Sequence, residues 1–170
     1  MMTYEEWLKS VPETITRDSL WKVEAYRLGL LLSDLSWHDA TRLMRDKRTF
    51  GLADQLYRAV GSISANIAEG YSRGTGRDRA HFYEYALGSS RESRDWYYKS
   101  RHILGDEITH HRLDLLSHLT RLLLTMIPDQ RGHTLRESSV SYRIEQPTTQ
   151  AESIHHAELD TLLHNIPLPT

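Results

Sequence analysis

Apolar residues recur every three or four positions through most of this chain. Trp21, Ala25, Leu28, Leu32 and Leu35 step by 4, 3, 4 and 3, the signature of one helical face. Leu31, Leu43 and Met44 widen or extend that stripe, and the helix is expected to start near Asp18. Leu52, Leu56, Ala59, Ile63 and Ile67 predict a second helix over about Leu52–Glu69, with Gly70 ending it. A third runs from Arg77 or Asp78 to about Leu104, before Gly105. A fourth begins near Asp106, carries Ile108, Leu115, Leu119, Leu122 and Met126 on one side, and is stopped by Pro128. No proline occurs between Pro12 and Pro128, which favours long uninterrupted helices.

Thr3 and Glu6 have capping-box spacing, so a short leading helix is expected over residues 3–11. Four helices with short connections and one apolar stripe each predict an all-α fold, an antiparallel up-and-down four-helix bundle. The organisation read from the chain is an N-terminal extension over 1–17, the bundle over 18–128 and a C-terminal tail or docking arm over 129–170. In that tail Val140, Tyr142 and Ile144 alternate as in an extended segment. Ile154, Leu159, Leu162, Leu163 and Ile166, after the Thr149–Glu152 capping-box spacing, suit an amphipathic helix.

Residues 51–70 read GLADQLYRAVGSISANIAEG, then YSRG, and FYEYALGSSRE follows. Gln55, Arg58-Ala59, Ser62-Ile63, Asn66-Ile67-Ala68-Glu69-Gly70 and Arg73, with Phe82, Ala86, Gly88-Ser89 and Glu92, carry a resemblance. The chain resembles the four-helix-bundle family of 23S rRNA intervening-sequence proteins, which also includes the accessory variability proteins of diversity-generating retroelements. The resemblance covers roughly residues 18–128. It implies a non-enzymatic bundle assembled as a homopentamer. Some members of the family are strongly basic, bind nucleic acid and associate with a reverse transcriptase. Here Ser64 stands where the family usually has proline after Ser-Ile, and Ser90 and Ser93 stand where leucines are usual.

Gln55, Arg58, Ser62, Asn66 and Glu69 step by 3, 4, 4 and 3, a polar stripe along the second helix. It is either a solvated face or a satisfied seam, internal or between subunits, in which Arg58 pairs with Glu69 or Glu92. The small residues Ala86, Gly88, Ser89, Ser90 and Ser93 suggest a close helix approach on the third helix. Trp96, Tyr97 and Tyr98 are consecutive, so at least one is expected to face a partner, the tail or a nucleic acid, with packing between protomers the leading use.

Charge is unevenly spread. The chain has net charge −2, yet residues 42–101 hold twelve Lys and Arg against seven Asp and Glu. Arg73, Arg77 and Arg79 surround a glycine-rich turn at a helix N-terminus, where unsatisfied N–H groups also favour anions. With Arg45, Lys47 and Arg48 they are the expected contacts to the phosphates of RNA or DNA, and Tyr71 is placed to stack on a base. A plain solvated turn is the competing reading. The sequence RGTG lacks the spacing of a nucleotide-hydrolase phosphate loop.

The absence of cysteine excludes disulfides, thiolate metal sites and a cysteine nucleophile. Glu107, His110, His111, Asp114 and His118 are the candidates for a metal-dependent bundle enzyme, the alternative function, since Glu-x-x-His recurs in carboxylate di-metal bundles. The leading expectation names no cofactor and no metal, a homo-oligomer, a nucleic-acid or protein partner, no membrane span and a cytoplasmic location. A self-assembly module without nucleic acid is the third reading.

Overall fold

The computed structural model describes residues 2–131 and 149–169, with the side chains of 149–156 outside the description. The expected extended segment around Val140–Ile144 lies outside the described residues. The helices are α1 (Tyr4–Ser10), α2 (Glu13–Thr16), α3 (Glu24–Leu43), α4 (Phe50–Tyr71), α5 (Gly76–Leu104), α6 (Asp106–Arg131) and α7 (Thr149–His164). The fold is all-α.

Helices α3 to α6 form the bundle, each packed on its neighbour in sequence. The Arg42 side chain near the end of α3 donates to the Ile103 carbonyl near the end of α5 (3.1 Å). Arg79 at the start of α5 reaches Gln130 at the end of α6 (3.0 Å). The chain therefore runs up and down, with the α3–α4 and α5–α6 corners at one end. The core is the union of the apolar stripes: Leu28, Leu31, Leu32 and Leu35 from α3, Leu56, Ile63 and Ile67 from α4, and Leu115, Leu119 and Leu123 from α6 are all buried. Each such side chain stabilises the fold by roughly 1.5–3 kcal/mol relative to exposure. Met44, expected to extend the α3 stripe, is instead half exposed at the corner.

The helix ends differ from the sequence reading in physically informative ways. Asp18 caps a single 3-10 turn, Ser19–Lys22, accepting from the Leu20 amide at 2.9 Å, and α3 starts only at Glu24. Thr75 caps α5 through the Asp78 amide (3.1 Å), and Gly105, with φ of 83°, ends it. Gly70 lies inside α4, whose surface there meets α5: a Cβ at Gly70 would sit 2.9 Å from the Tyr83 ring. Pro128 lies inside α6, which continues to Arg131. A proline deletes one helical hydrogen bond, and the turn beyond it is tied to α5 by Gln130–Arg79 and Arg131–Glu84.

Serines stand where helices come close. Ser90 and Ser93 are fully buried, and the Ser90 hydroxyl reaches Thr120 Oγ1 on α6 at 2.9 Å. Ser64 is buried against Gly29 of α3, where a Cβ would lie 3.2 Å from the serine Cβ. Gly88, by contrast, is exposed with open space around it and makes no helix contact.

Helices α3 and α6 touch much less than the other neighbours. The termini cover that seam. The capping box of α1 forms, with Thr3 and Glu6 exchanging bonds of 2.8 and 3.2 Å. Buried Trp7 donates to Asp34 of α3 (2.7 Å) and stacks on Trp21. Helix α7 lies along α6, and Leu159 and Ile166 enter the core.

Candidate nucleic-acid interface

The six cations singled out in the sequence fall into two groups at opposite ends of α4. That helix has 22 residues, a rise of roughly 33 Å at about 1.5 Å per residue. At the α3–α4 corner, Asp46 caps a short 3-10 turn and also holds Arg48, whose Nε donates to the carboxylate at 3.0 Å. The Arg48 side chain, and then the Arg48 amide, bring the Asp46 carboxyl down to about 2, so this pair is ionised at any ordinary pH. Arg45 and Lys47 are exposed beside it.

At the α4–α5 corner, Arg73 pairs with Glu69 one turn earlier and lies 4.5 Å above the Phe82 ring. Arg79 donates to Gln130 and to the Arg73 carbonyl (3.1 Å), 6.0 Å from the Tyr71 ring. Arg77 is exposed and has no partner among the described residues. Arg131, placed in the tail by the sequence reading, joins this end by pairing with Glu84. Two of the four arginines thus have carboxylate partners, Glu69 and Glu84, both solvent-accessible. Exposed pairs of this kind are worth about 0.2–1 kcal/mol and open readily to a competing phosphate. His81, Phe82 and Tyr85 continue the same surface along α5, with ring centroids 4.6–6.5 Å apart.

The polar stripe of α4 lies on the outside of the single chain. Gln55, Arg58 and Glu69 are exposed, and Ser62 and Asn66 are half-buried. Asn66 donates to the Ser62 carbonyl and Ser62 to the Arg58 carbonyl, both at 2.8 Å. Arg58 stands 3.9 Å from Asp54, not at Glu69 or Glu92; Glu92 instead accepts from Trp96 Nε1 at 3.1 Å. On the adjoining α3 surface Trp37 is 61% exposed and meets Tyr57, 43% exposed, edge to face at 6.0 Å.

The metal candidates are not brought together. His110 bonds the Asp106 carbonyl at the surface, while Glu107 and Asp114 are exposed. His111 has both ring nitrogens engaged, by Arg112 and by the Leu162 carbonyl. His118 is buried 3.6 Å from Glu24, without a hydrogen bond at either nitrogen among the described residues. Among the described residues no three His, Asp or Glu side chains converge as a metal site.

The sequence reading missed the main polar feature of the interior. Asp39 and Arg112 form a fully buried ion pair, with Nε–Oδ2 at 2.8 Å and Nη2–Oδ1 at 3.2 Å. Buried Tyr97 donates to Asp39 at 2.9 Å, and burial raises its phenol well above the ordinary 10, so it stays a donor. Arg112 also donates to His111 Nδ1 (2.9 Å) and to the Pro167 carbonyl (2.8 Å). The signal was present. Leu28, Leu32, Leu35 and Asp39 step by 4, 3 and 4, and Ile108, Arg112, Leu115 and Leu119 by 4, 3 and 4, so one charge of each sign occupies an apolar register.

Among the described residues no helix is long and apolar enough to cross a membrane. No curated protein and no solved structure matches the chain. One family model does, that of the 23S rRNA-intervening sequence protein, over residues 22–125, from just before α3 to near the end of α6. It is not a known enzyme family. With the bundle and the model spanning the same residues, the chain belongs to the 23S rRNA-intervening sequence protein family.

Proposed function

We propose that the protein is a non-enzymatic, homo-oligomeric scaffold whose α4–α5 corner binds the phosphate backbone of a nucleic acid. The observation that carries this reading is Arg77. It is a solvated guanidinium without a partner among the described residues, flanked by Arg73 and Arg79, which Glu69, Phe82, Gln130 and the Arg73 carbonyl hold in place. Arginines fixed in this way at a helix start are suited to phosphate oxygens. Assembly repeats the corner around a symmetric ring, so a small local excess of charge becomes a multivalent one. Trp37, Tyr57 and the α4 stripe supply a surface for that assembly. A pentamer and a place beside a reverse transcriptase follow from the family resemblance and belong to the same proposal.

The test is a salt titration of binding to labelled single-stranded RNA and duplex DNA. Affinity should fall linearly on a log–log plot. Replacing Arg73, Arg77 and Arg79 by glutamine should reduce the slope by about 2–3, near 0.7–0.9 per lost phosphate contact. No association at about 50 mM salt, where such contacts are strong, removes the nucleic-acid role and leaves a self-assembly module.

A further inference from the structure

The C-terminal segment, the last two turns of α7 and the residues that follow, is held to the bundle as a ligand is held. Main-chain atoms make several of its polar contacts to the bundle and the N-terminus. The Leu162 carbonyl accepts from His111 Nε2 at 2.8 Å, and the Pro167 carbonyl accepts from Arg112 Nη2 at 2.8 Å. Ile166 and Met2 exchange both amide bonds, at 3.1 and 3.2 Å, as an antiparallel pair. Its side chains contribute apolar anchors, Leu159 and Ile166, which are buried. Both the segment and Met2 lie outside residues 22–125, where the family model matches. The surface they fill is the loosely packed α3–α6 seam, with the buried Asp39–Arg112 pair beneath it.

Leu162 meets His111 near the start of α6, while Glu158 and Leu159 line a cleft of about 410 Å³ that extends to Arg121. Helix α7 therefore runs antiparallel to α6, and its start lies back toward Arg131. Residues 132–148 join the two, and a chain of that length reaches up to roughly 55–60 Å when extended. The longest bundle helix, α5, has 29 residues and measures roughly 44 Å. The same segment can thus reach the same surface on an adjacent copy. Seated there, it meets the same partners as in its own chain, so only connector entropy and effective concentration separate the two arrangements.

We propose that the surface at Met2, His111 and Arg112 is a peptide-binding site, and that its ligand, residues 157–169, is supplied in exchange by a second copy of the chain. This rests on the assembly half of the function proposed above and is independent of nucleic acid. The recognised chemistry is a helix end running into an extended aliphatic-proline stretch over 166–169, which together present main-chain carbonyls to an imidazole and a guanidinium.

The chain contains no cysteine, which makes disulfide trapping direct. Paired residues that exchange both amide bonds have Cα atoms about 5.5 Å apart, within disulfide reach. Met2→Cys and Ile166→Cys are introduced on separate full-length chains with tags of different mass, which are co-expressed and oxidised. A mixed disulfide several-fold in excess of either homodimer is the expected result. The proposal is overturned if the Met2→Cys, Ile166→Cys double variant closes only within its own chain, or not at all, while the single variants give no mixed product. Ile166 is fully buried, so a second pair guards against misfolding. Glu5→Cys and His164→Cys are both at exposed positions on one shared cleft and can be bridged by a short bis-maleimide, with the same two outcomes. Light scattering on the same samples separates the claims: an oligomer without mixed cross-links removes exchange and leaves assembly standing.

Discussion

His111 makes two hydrogen bonds that only a neutral imidazole can make together. Its Nδ1 accepts from Arg112 and its Nε2–H donates to the Leu162 carbonyl, which fixes the tautomer. Burial, and then the Arg112 charge, outweigh the Leu162 bond and bring the imidazole down from the ordinary 6.5 to about 4. The other groups facing the network are Asp39 from α3 and Tyr97 from α5, both committed to Arg112 or to each other. Between pH 6.5 and about 4 the unfolded chain binds a proton at this position that the folded chain does not. Its contribution to stability is therefore complete above about pH 6.5 and is lost as the pH falls toward about 4, by up to about 3 kcal/mol. Carboxylates titrate in part of the same window, so the comparison is with His111→Gln, which keeps one donor and one acceptor. Urea unfolding should show wild type losing stability relative to that variant between about pH 6.5 and 4.5. Parallel curves, or a His111 imidazole titrating at its ordinary value by NMR, would contradict this account. Nothing in the sequence pattern singles out His111 for such a role. Its partners are a guanidinium adjacent in sequence and the carbonyl of a residue 51 positions away, and periodicity reports neither.

Whole helices were legible because each apolar stripe is long, and a pattern sustained over several turns outlasts any single exception. Ends and glycines were less so, because what decides them lies on another helix. Gly70 reads as a helix stop and is a contact point, since Phe82 and Tyr83 of α5 press on α4 there. Gly88 reads as part of a small-residue contact face and is open to solvent, while its neighbours Ser90 and Ser93 make the contact. Opposite responses to the same substitution follow. Gly88→Ala adds a methyl where nothing lies within 4 Å and removes backbone freedom, a gain of about 0.5–1 kcal/mol. In a chain of this size that raises the melting temperature by about 1–4 °C. Gly70→Ala gains the same propensity but places its Cβ 2.9 Å from Tyr83, a ring only 2% exposed with no room to yield. Overpacking at such a site costs about 1–3 kcal/mol, so the melting temperature should fall. Thermal unfolding followed by circular dichroism checks both: a rise for Gly70→Ala would show that the α4–α5 contact is not tight, and a fall for Gly88→Ala that the space around Gly88 is not open.

At the scale of the molecule, the outer surface of α3 and α4 exposes an apolar patch. Trp37 and Tyr57 pack on each other in the open, and Met44 and Phe50 lie exposed at the corner beyond. Large exposed aromatics and methionine are among the residues most enriched at the centres of protein interfaces. A grouped apolar patch on a soluble surface carries an aggregation cost unless a partner covers it. The flanking polar stripe fits the same role, since short hydroxyl and amide groups already bonded to their own helix cost little to cover. Sequence periodicity identified the polar row but not the aromatic pair beside it, because Trp37 and Tyr57 are far apart along the chain and meet only through the packing of α3 on α4. The two features predict a dissociating variant that keeps its fold. Trp37→Ser with Tyr57→Ser removes a half-exposed aromatic pair and leaves the core untouched, so the isolated chain should lose only about 0.5–1.5 kcal/mol in urea unfolding. Truncating interface anchors costs about 2 kcal/mol or more apiece, enough to shift the assembly toward single chains at micromolar concentration. Light scattering that returns the same oligomer for wild type and the double variant would place the interface elsewhere on the bundle, and a chain that is solitary before any substitution would remove the assembled scaffold altogether.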